Sequence, residues 1–229
     1  MESDVRRLAS ENGIDMKCFI GKFTRAEQKA RRPSQILDAA FEEFVSQGYA
    51  ATRVEDIARR VGVTKGTIYV YFETKEDLFS AMVRHISTPF EDLLASTVNH
   101  PGNCAERLRH LIETSYDRLL DNRQTRELLR FVIAEGSRFP HVVDQHHSEF
   151  IEPLKRHTQS ILDEGIARHE FRNGPAAVAE AVIAPVLSMM IMKLIFDERR
   201  PFDRAAQIAT HLDLVFNGLA ASRPPEIDA

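Results

Sequence analysis

Residues 54–79 read VEDIARRVGVTKGTIYVYFETKEDLF, and the fold turns on how this stretch is divided. Val54, Ile57, Ala58 and Val61 recur at helical spacing on a short first helix. Gly62 then supplies a sharp turn, and Thr64 can cap a second short helix running to Phe72. Thr74 caps a longer helix carrying Leu78, Phe79, Met82, Val83 and Ile86. Ile57, Ala58, Val61, Val63, Ile68 and Phe72 can bury together, which leaves Lys65, Gly66, Thr67, Tyr69 and Tyr71 facing outward. Two short helices joined by a glycine turn, the second with polar residues on its outer face, have the geometry of a helix-turn-helix. Lys65 can donate to guanine edges or phosphate, Thr67 offers a hydroxyl and a methyl, and Gly66 lets the backbone approach a groove closely. Tyr69 and Lys75 suit phosphate oxygens.

Upstream, Ile36, Leu37, Ala40, Phe41, Phe44 and Val45 line one face of a further helix, which starts near Pro33 and Ser34 and stops at Gly48. Thr52 and Glu55 stand in capping-box spacing before the next helix. Taken together, ILDAAFEEFVSQGYAATRVEDIARRVGVTKGTIYVYFETKEDLF, residues 36–79, resembles the DNA-binding domain of the tetracycline repressor (TetR) family. The residues that carry the likeness are Ala39-Ala40-Phe41 with Phe44, Gly48-Tyr49, Ile57-Ala58, Val61-Gly62-Val63 and Lys65 to Tyr69, followed by Tyr71-Phe72 and Lys75. The resemblance implies a dimeric, usually repressing regulator whose DNA contacts match Lys65, Gly66, Thr67, Tyr69, Tyr71 and Lys75 here, and Arg53 and Thr64 are added as candidates beside them. Two positions depart from the pattern. Arg53 replaces a small hydroxyl residue, which suggests a phosphate contact and passes the capping role to Thr52. Val70 is apolar where many relatives carry Arg, Tyr or Trp.

Beyond residue 80 the periodicity stays helical, with helices read near Ala105–Leu120, Thr125–Glu135, His147–Ile166, Pro175–Phe196 and Arg204–Leu219. Turn-forming breaks fall at residues 99–103, 137–140, 172–175 and 201, and the tail at 222–226 reads as loose. Pro89 should bend or split the helix after Lys75, and Pro185 should kink the helix that holds it. The expected fold is all-α: a three-helix helix-turn-helix domain at 30–80, joined by a long helix to a helical ligand-sensing and dimerisation domain at 81–222. RELLRFVIAEGSRFPHVVDQ, residues 126–145, is similar to a segment of one group of TetR-family sensor domains, in which a helix ends in a Phe-Pro turn. Candidate ligand contacts are Phe90, Leu94, Leu111, Tyr116, Leu128, Phe131, Val132, Leu154 and Ile161. The same residue types fill ordinary cores, so composition does not separate pocket from packing. Glu135 and Arg138 fit either buried pocket groups or a surface ion pair.

The apolar stretch 176–196 is interrupted by Glu180, Pro185, Ser188 and Lys193, and is read as a protein-buried helix rather than a membrane span. It is apolar nearly all round, so one partner helix cannot cover it, and a homodimer through 175–196 and 204–219 is expected. A small-molecule effector should act by moving the helix that starts at Lys75, read as the only element touching both regions.

The 229 residues are 43% hydrophobic and 28% charged with a net charge of −4, which fits a folded protein and argues against one that coats nucleic acid by bulk attraction. Residues 17–85 nevertheless carry 12 Lys/Arg against 9 Asp/Glu, and the run Lys17, Lys22, Arg25, Lys29, Arg31 and Arg32 fits either a tail or an arm reaching DNA. Cys18 and Cys104 are far apart, so neither a disulfide framework nor a zinc site is supported and a cytoplasmic setting fits. Met16 stands where a shorter native start would fall. His141, His146, His147 and His157 cluster in sequence without a ligand spacing that points to a metal. No catalytic or cofactor motif appears. The function expected is a ligand-responsive repressor acting as a homodimer on a palindromic operator. An activator, and more remotely an all-α enzyme or lipid-binding protein, are the alternatives.

Overall fold

The computed structural model describes residues 25–196, 199–200 and 203–220, and every regular element among them is helical. Helix α1, Arg25–Ala51, begins well before the start expected at Pro33, which lies inside it. Lys17 and Lys22 of the N-terminal basic run, Cys18, Met16 and the 222–226 tail fall outside the described residues. At Gly48, φ 76° and ψ 165° break the helix, a conformation open to glycine because it has no Cβ.

Helix α2, Val54–Val61, follows directly and turns Val54, Ile57 and Ala58 into the core. Its N-cap is Arg53, with no side-chain cap, so the capping box expected at Thr52 is not formed. The Thr52 hydroxyl instead donates to the carbonyls of Gly48 (2.8 Å) and Glu43 (3.1 Å), satisfying the end of α1. The buried Glu43 carboxylate accepts from Arg60 Nε at 2.6 Å and fixes α2 against α1. Gly62, left-handed at φ 76°, closes α2 and starts the turn into α3, Lys65–Tyr71, whose first N–H groups are capped by Thr64. Helix α4, Lys75–Ile86, opens with a complete capping box of Thr74 and Asp77.

The expected long connector is broken. The split falls at Ser87, as expected of Pro89, and α5, Thr88–Val98, starts with Pro89 in its first turn, where the missing N–H costs nothing. Helix α6, Cys104–Ser115, continues through a π-helical turn, Tyr116–Leu120. Helix α7, Arg123–Glu135, ends before the Phe-Pro turn. Pro140 then begins α8, Pro140–His146, where the sequence reading had only a break. A second π-helical turn, His147–Ile151, leads into α9, Glu152–Ala167. Helix α10, Ala179–Phe196, starts later than expected and runs unbroken through Pro185, and α11 spans Arg204–Leu219 as expected.

Apolar side chains gather in two clusters. One holds α1–α4 together with Phe90, Leu128, Phe131, Phe139, Phe150 and Leu154, so the core does not stop at residue 80. The other joins α6, α9, α10 and α11 around Leu108, Ile112, Tyr116, Ile161 and Leu212. Within the single chain only Ala179, Val182 and Val186 of α10 are buried, while Leu187, Met192 and Ile195 are exposed. Its charged residues are paired, Glu180 with Lys155 at 2.8 Å and Lys193 with Asp121.

Candidate nucleic-acid interface and ligand cavity

Helix α3 is anchored by one buried side chain, Ile68, and presents the remainder outward. Arg53, Thr64, Lys65, Gly66 and Tyr69 are exposed, and Thr67 and Tyr71 are half-buried. Thr64 to Tyr71 belong to α3 and its N-cap, whereas Arg53 stands at the start of α2. Lys65 is held by Glu55 of α2 at 2.7 Å and lies over the Tyr69 ring, 5.6 Å from its centroid. The Glu55 hydrogen bond holds the Lys65 pKa above its ordinary value. A phosphate or base edge that takes one of the remaining donors of this ammonium does so beside the Glu55 carboxylate. Lys75 Nζ donates to the Tyr49 carbonyl at the end of α1 and lies 4.4 Å from the centroid of that ring, and burial pushes its pKa down. This contact caps the end of α1 and leaves the half-buried ammonium two further N–H donors.

The second site is a cavity of about 300 Å³ lined by α5, α6, α7, α8, α9, α10 and both π-helical turns. Five of the nine candidate ligand residues line it: Phe90, Leu111, Leu128, Val132 and Leu154. The other four do not. Tyr116 is buried in the second cluster, its hydroxyl 3.2 Å from His211 Nδ1, and Ile161 packs there too. Phe131 turns to Phe79 of α4 at 5.8 Å between ring centroids, and Leu94 lies outside the lining. Sequence reading missed the contribution of α10, namely Val182, Ile183, Val186, Leu187 and Met190. Its all-round apolarity was the available signal, but it was assigned wholly to a partner helix. Also missed were Ser115 and Leu119 at the first π-helical turn and His147 and Ile151 at the second. Each turn inserts a residue into the helix and so re-aims the side chains beside the cavity.

Polar groups on the wall are few: Ser115, Thr125, His146 and His147, with no Lys, Arg, Asp or Glu. His146 is neutral, since burial depresses its pKa from 6.5 to about 4. The Ser87 hydroxyl donates to the Val83 carbonyl at 2.8 Å, so its oxygen accepts from His146 Nδ1–H at 3.0 Å, which assigns the tautomer. Of the other histidines considered, His141 lies 3.3 Å from Glu76 and His157 is half-buried, its pKa lowered by burial. Among the described residues no group of three or more His, Cys, Asp or Glu is placed to hold a metal.

Interface and cavity are joined by more than α4. Phe79 of α4 meets Phe44, Tyr49, Phe131 and Phe139 with centroid separations of 5.3, 5.0, 5.8 and 5.3 Å, while Tyr49 and Phe139 approach to 4.5 Å. Arg138 stacks over Tyr49 and Phe139, which makes it a latch residue rather than a pocket group. Arg123 at the start of α7 forms a two-pronged ion pair with Glu42 of α1, at 2.5 and 2.9 Å. The expectation that α4 alone touches both regions is thus corrected: α7 and α8 reach the helix-turn-helix directly.

Residues 36–82 match the family described as bacterial regulatory proteins, tetR family, and residues 98–212 match the tetracyclin repressor-like C-terminal domain. The fatty acid metabolism regulator protein of Bacillus subtilis is 23% identical over 194 residues, 84% of this chain and 98% of that protein. Among solved structures, a TetR-family regulator from Mesorhizobium loti aligns with a TM-score of 0.67 at 22% identity, covering 87% of this chain and 100% of that one. FadR from Bacillus subtilis in complex with stearoyl-CoA aligns with a TM-score of 0.65 at 21% identity, covering 81% and 98%.

Proposed function

The chain belongs to the tetR family of bacterial regulatory proteins and is a DNA-binding transcriptional regulator rather than an enzyme, and we propose that it is a homodimeric repressor released from its operator by a long-chain acyl ligand. The observation that carries the ligand class is the cavity wall, whose fourteen apolar residues are joined by no ionic side chain. A carboxylate drawn inside would lose its water and find no Lys or Arg to pair with, whereas a hydrocarbon chain would lose nothing. An acyl chain carried as a thioester, with its polar carrier left outside, meets that constraint. The stearoyl-CoA complex of the structurally similar FadR supports the same reading.

Support for the dimer comes from α10 and α11, which leave Leu187, Met192, Ile195 and Leu214 exposed. Pairing these helices across a two-fold axis makes a four-helix interface and sets two copies of α3 about one DNA turn apart, roughly 34 Å, as a palindromic operator requires. Such a protein works where its operators are, in the cytoplasm. The Lys65 to Tyr69 surface and the 30–80 segment form the DNA-binding part in this reading, and 81–222 the sensing part. Footprinting with the full chain tests it. One protected region of dyad symmetry that survives moderate salt, bound by a species sedimenting as a dimer, is expected. Uniform protection of all DNA, or a monomer at micromolar concentration, would overturn it. Transcription in vitro from the protected promoter separates a repressor, which lowers it, from an activator, which raises it.

A further inference from the structure

Val70 carries its side chain 77% exposed, more than any other large apolar residue noted as exposed in the structure. Its position on α3 explains why this matters. At 100° per residue, Gly66 and Val70 fall within about 20° of the direction opposite the buried Ile68, while Thr67 and Tyr69 stand to either side. The centre of the outward face is therefore a glycine with one apolar side chain a turn after it. A Cβ added at Gly66 would meet no atom closer than 3.8 Å, so the glycine is not there to relieve crowding within the protein. Its absent side chain shortens the distance between the helix backbone and whatever α3 faces. A valine in this place has no hydrogen bond to offer a base edge, and water gains nothing from it.

We propose that Val70 is a specificity-determining residue that reads the 5-methyl group of a thymine in each half of the operator. Thymine alone among the four bases presents an apolar group in the major groove. Gly66 lets α3 sink far enough for the valine methyls to cover that group, and the Thr67 methyl extends the same apolar strip. The inference rests on the operator-binding reading above. It requires two methyl contacts per dimer, related by the dyad.

The test uses duplexes selected from a random pool by the full-length chain. Each thymine of the selected site is replaced singly by deoxyuridine, which removes the methyl and leaves the base pairing intact. Binding is compared for wild type and Val70→Ala, with thermal melting confirming that the exposed substitution leaves the fold unchanged. Removing one covered methyl is expected to weaken wild type about fourfold, and about fifteenfold when both symmetric thymines are replaced. Val70→Ala should be indifferent to the same replacement. Wild type indifferent to every replacement, or Val70→Ala as sensitive as wild type at the same position, would overturn the proposal while leaving operator binding in place. Failure of the pool to yield any discrete site would overturn it together with the operator reading, and is told apart by that failure alone.

Discussion

Phe139→Ala should cut the mechanical link between cavity and DNA-binding helices. Phe139 is buried at 5% exposure and its ring meets Tyr49 at 4.5 Å and Phe79 at 5.3 Å, the former on α1 and the latter on α4. Truncating a buried phenylalanine costs about 3–5 kcal/mol, and each lost aromatic pair adds about 0.5–1.5 kcal/mol beyond area alone. Arg138 lies over the Tyr49 and Phe139 rings and can settle over the gap, so the low end, about 3 kcal/mol, is expected. For a domain of this size that lowers Tm by about 6–12 °C. The control is Ile133→Ala on the neighbouring helix, whose side chain is 63% exposed and whose loss should stay within about 0.5 kcal/mol. Melting gives the stability. Operator titration with and without saturating ligand gives the coupling, which should fall several-fold in Phe139→Ala even below its melting range. A variant that melts with Ile133→Ala, or that releases DNA on ligand binding as fully as wild type, would refute the latch.

Val132→Phe places a ring into the cavity from α7, and should lower ligand affinity more than tenfold while leaving operator affinity unchanged, read by calorimetry and gel shift. Glu55→Gln and Lys65→Ala should act in opposite directions on operator binding, since the first frees the Lys65 ammonium and the second removes it, by on the order of tenfold for the lysine. Equal effects from both would dissociate Lys65 from DNA. Acid should destabilise the fold through His146: its pKa of about 4 lies below the ordinary 6.5, so the unfolded chain takes up the proton first. Stability from this group is therefore intact above pH about 6.5 and declines by on the order of 3 kcal/mol as pH falls toward 4. The burial-lowered His157 and His211 act in the same sense. Urea melts at pH 5 and 7.5 should show a smaller difference in His146→Gln than in wild type.

The helix-turn-helix was legible because its signals are local. Thr64 and Thr74 cap the helices that follow them, Gly62 makes its turn, and Ile57, Ala58 and Ile68 bury as their spacing demands. Thr52 misled because a capping-box spacing does not say which of two adjoining helix ends a hydroxyl will satisfy. The Lys75 contact was not legible for a related reason, since its partner is a carbonyl twenty-six residues away. The cavity was only half legible. Leu128 and Val132 on α7 were found, but the wall from α10 depends on how that helix is shared between the chain's own core and a dimer partner. Neither periodicity nor composition carries that division. Both π-helical turns were invisible for the same reason, being adjustments to packing around a void rather than consequences of the residues within them.

Ligand and operator must oppose each other through one set of helices, and a hundredfold release requires about 2.7 kcal/mol of difference in ligand affinity between the two arrangements. The direct measurement is a titration of stearoyl-CoA into the dimer, alone and saturated with operator. Acyl ligand should bind the free dimer more tightly by the same factor by which it weakens operator binding. Equal affinity in both titrations with DNA still bound at saturation, or no binding in either, would contradict a repressor switched by an acyl chain.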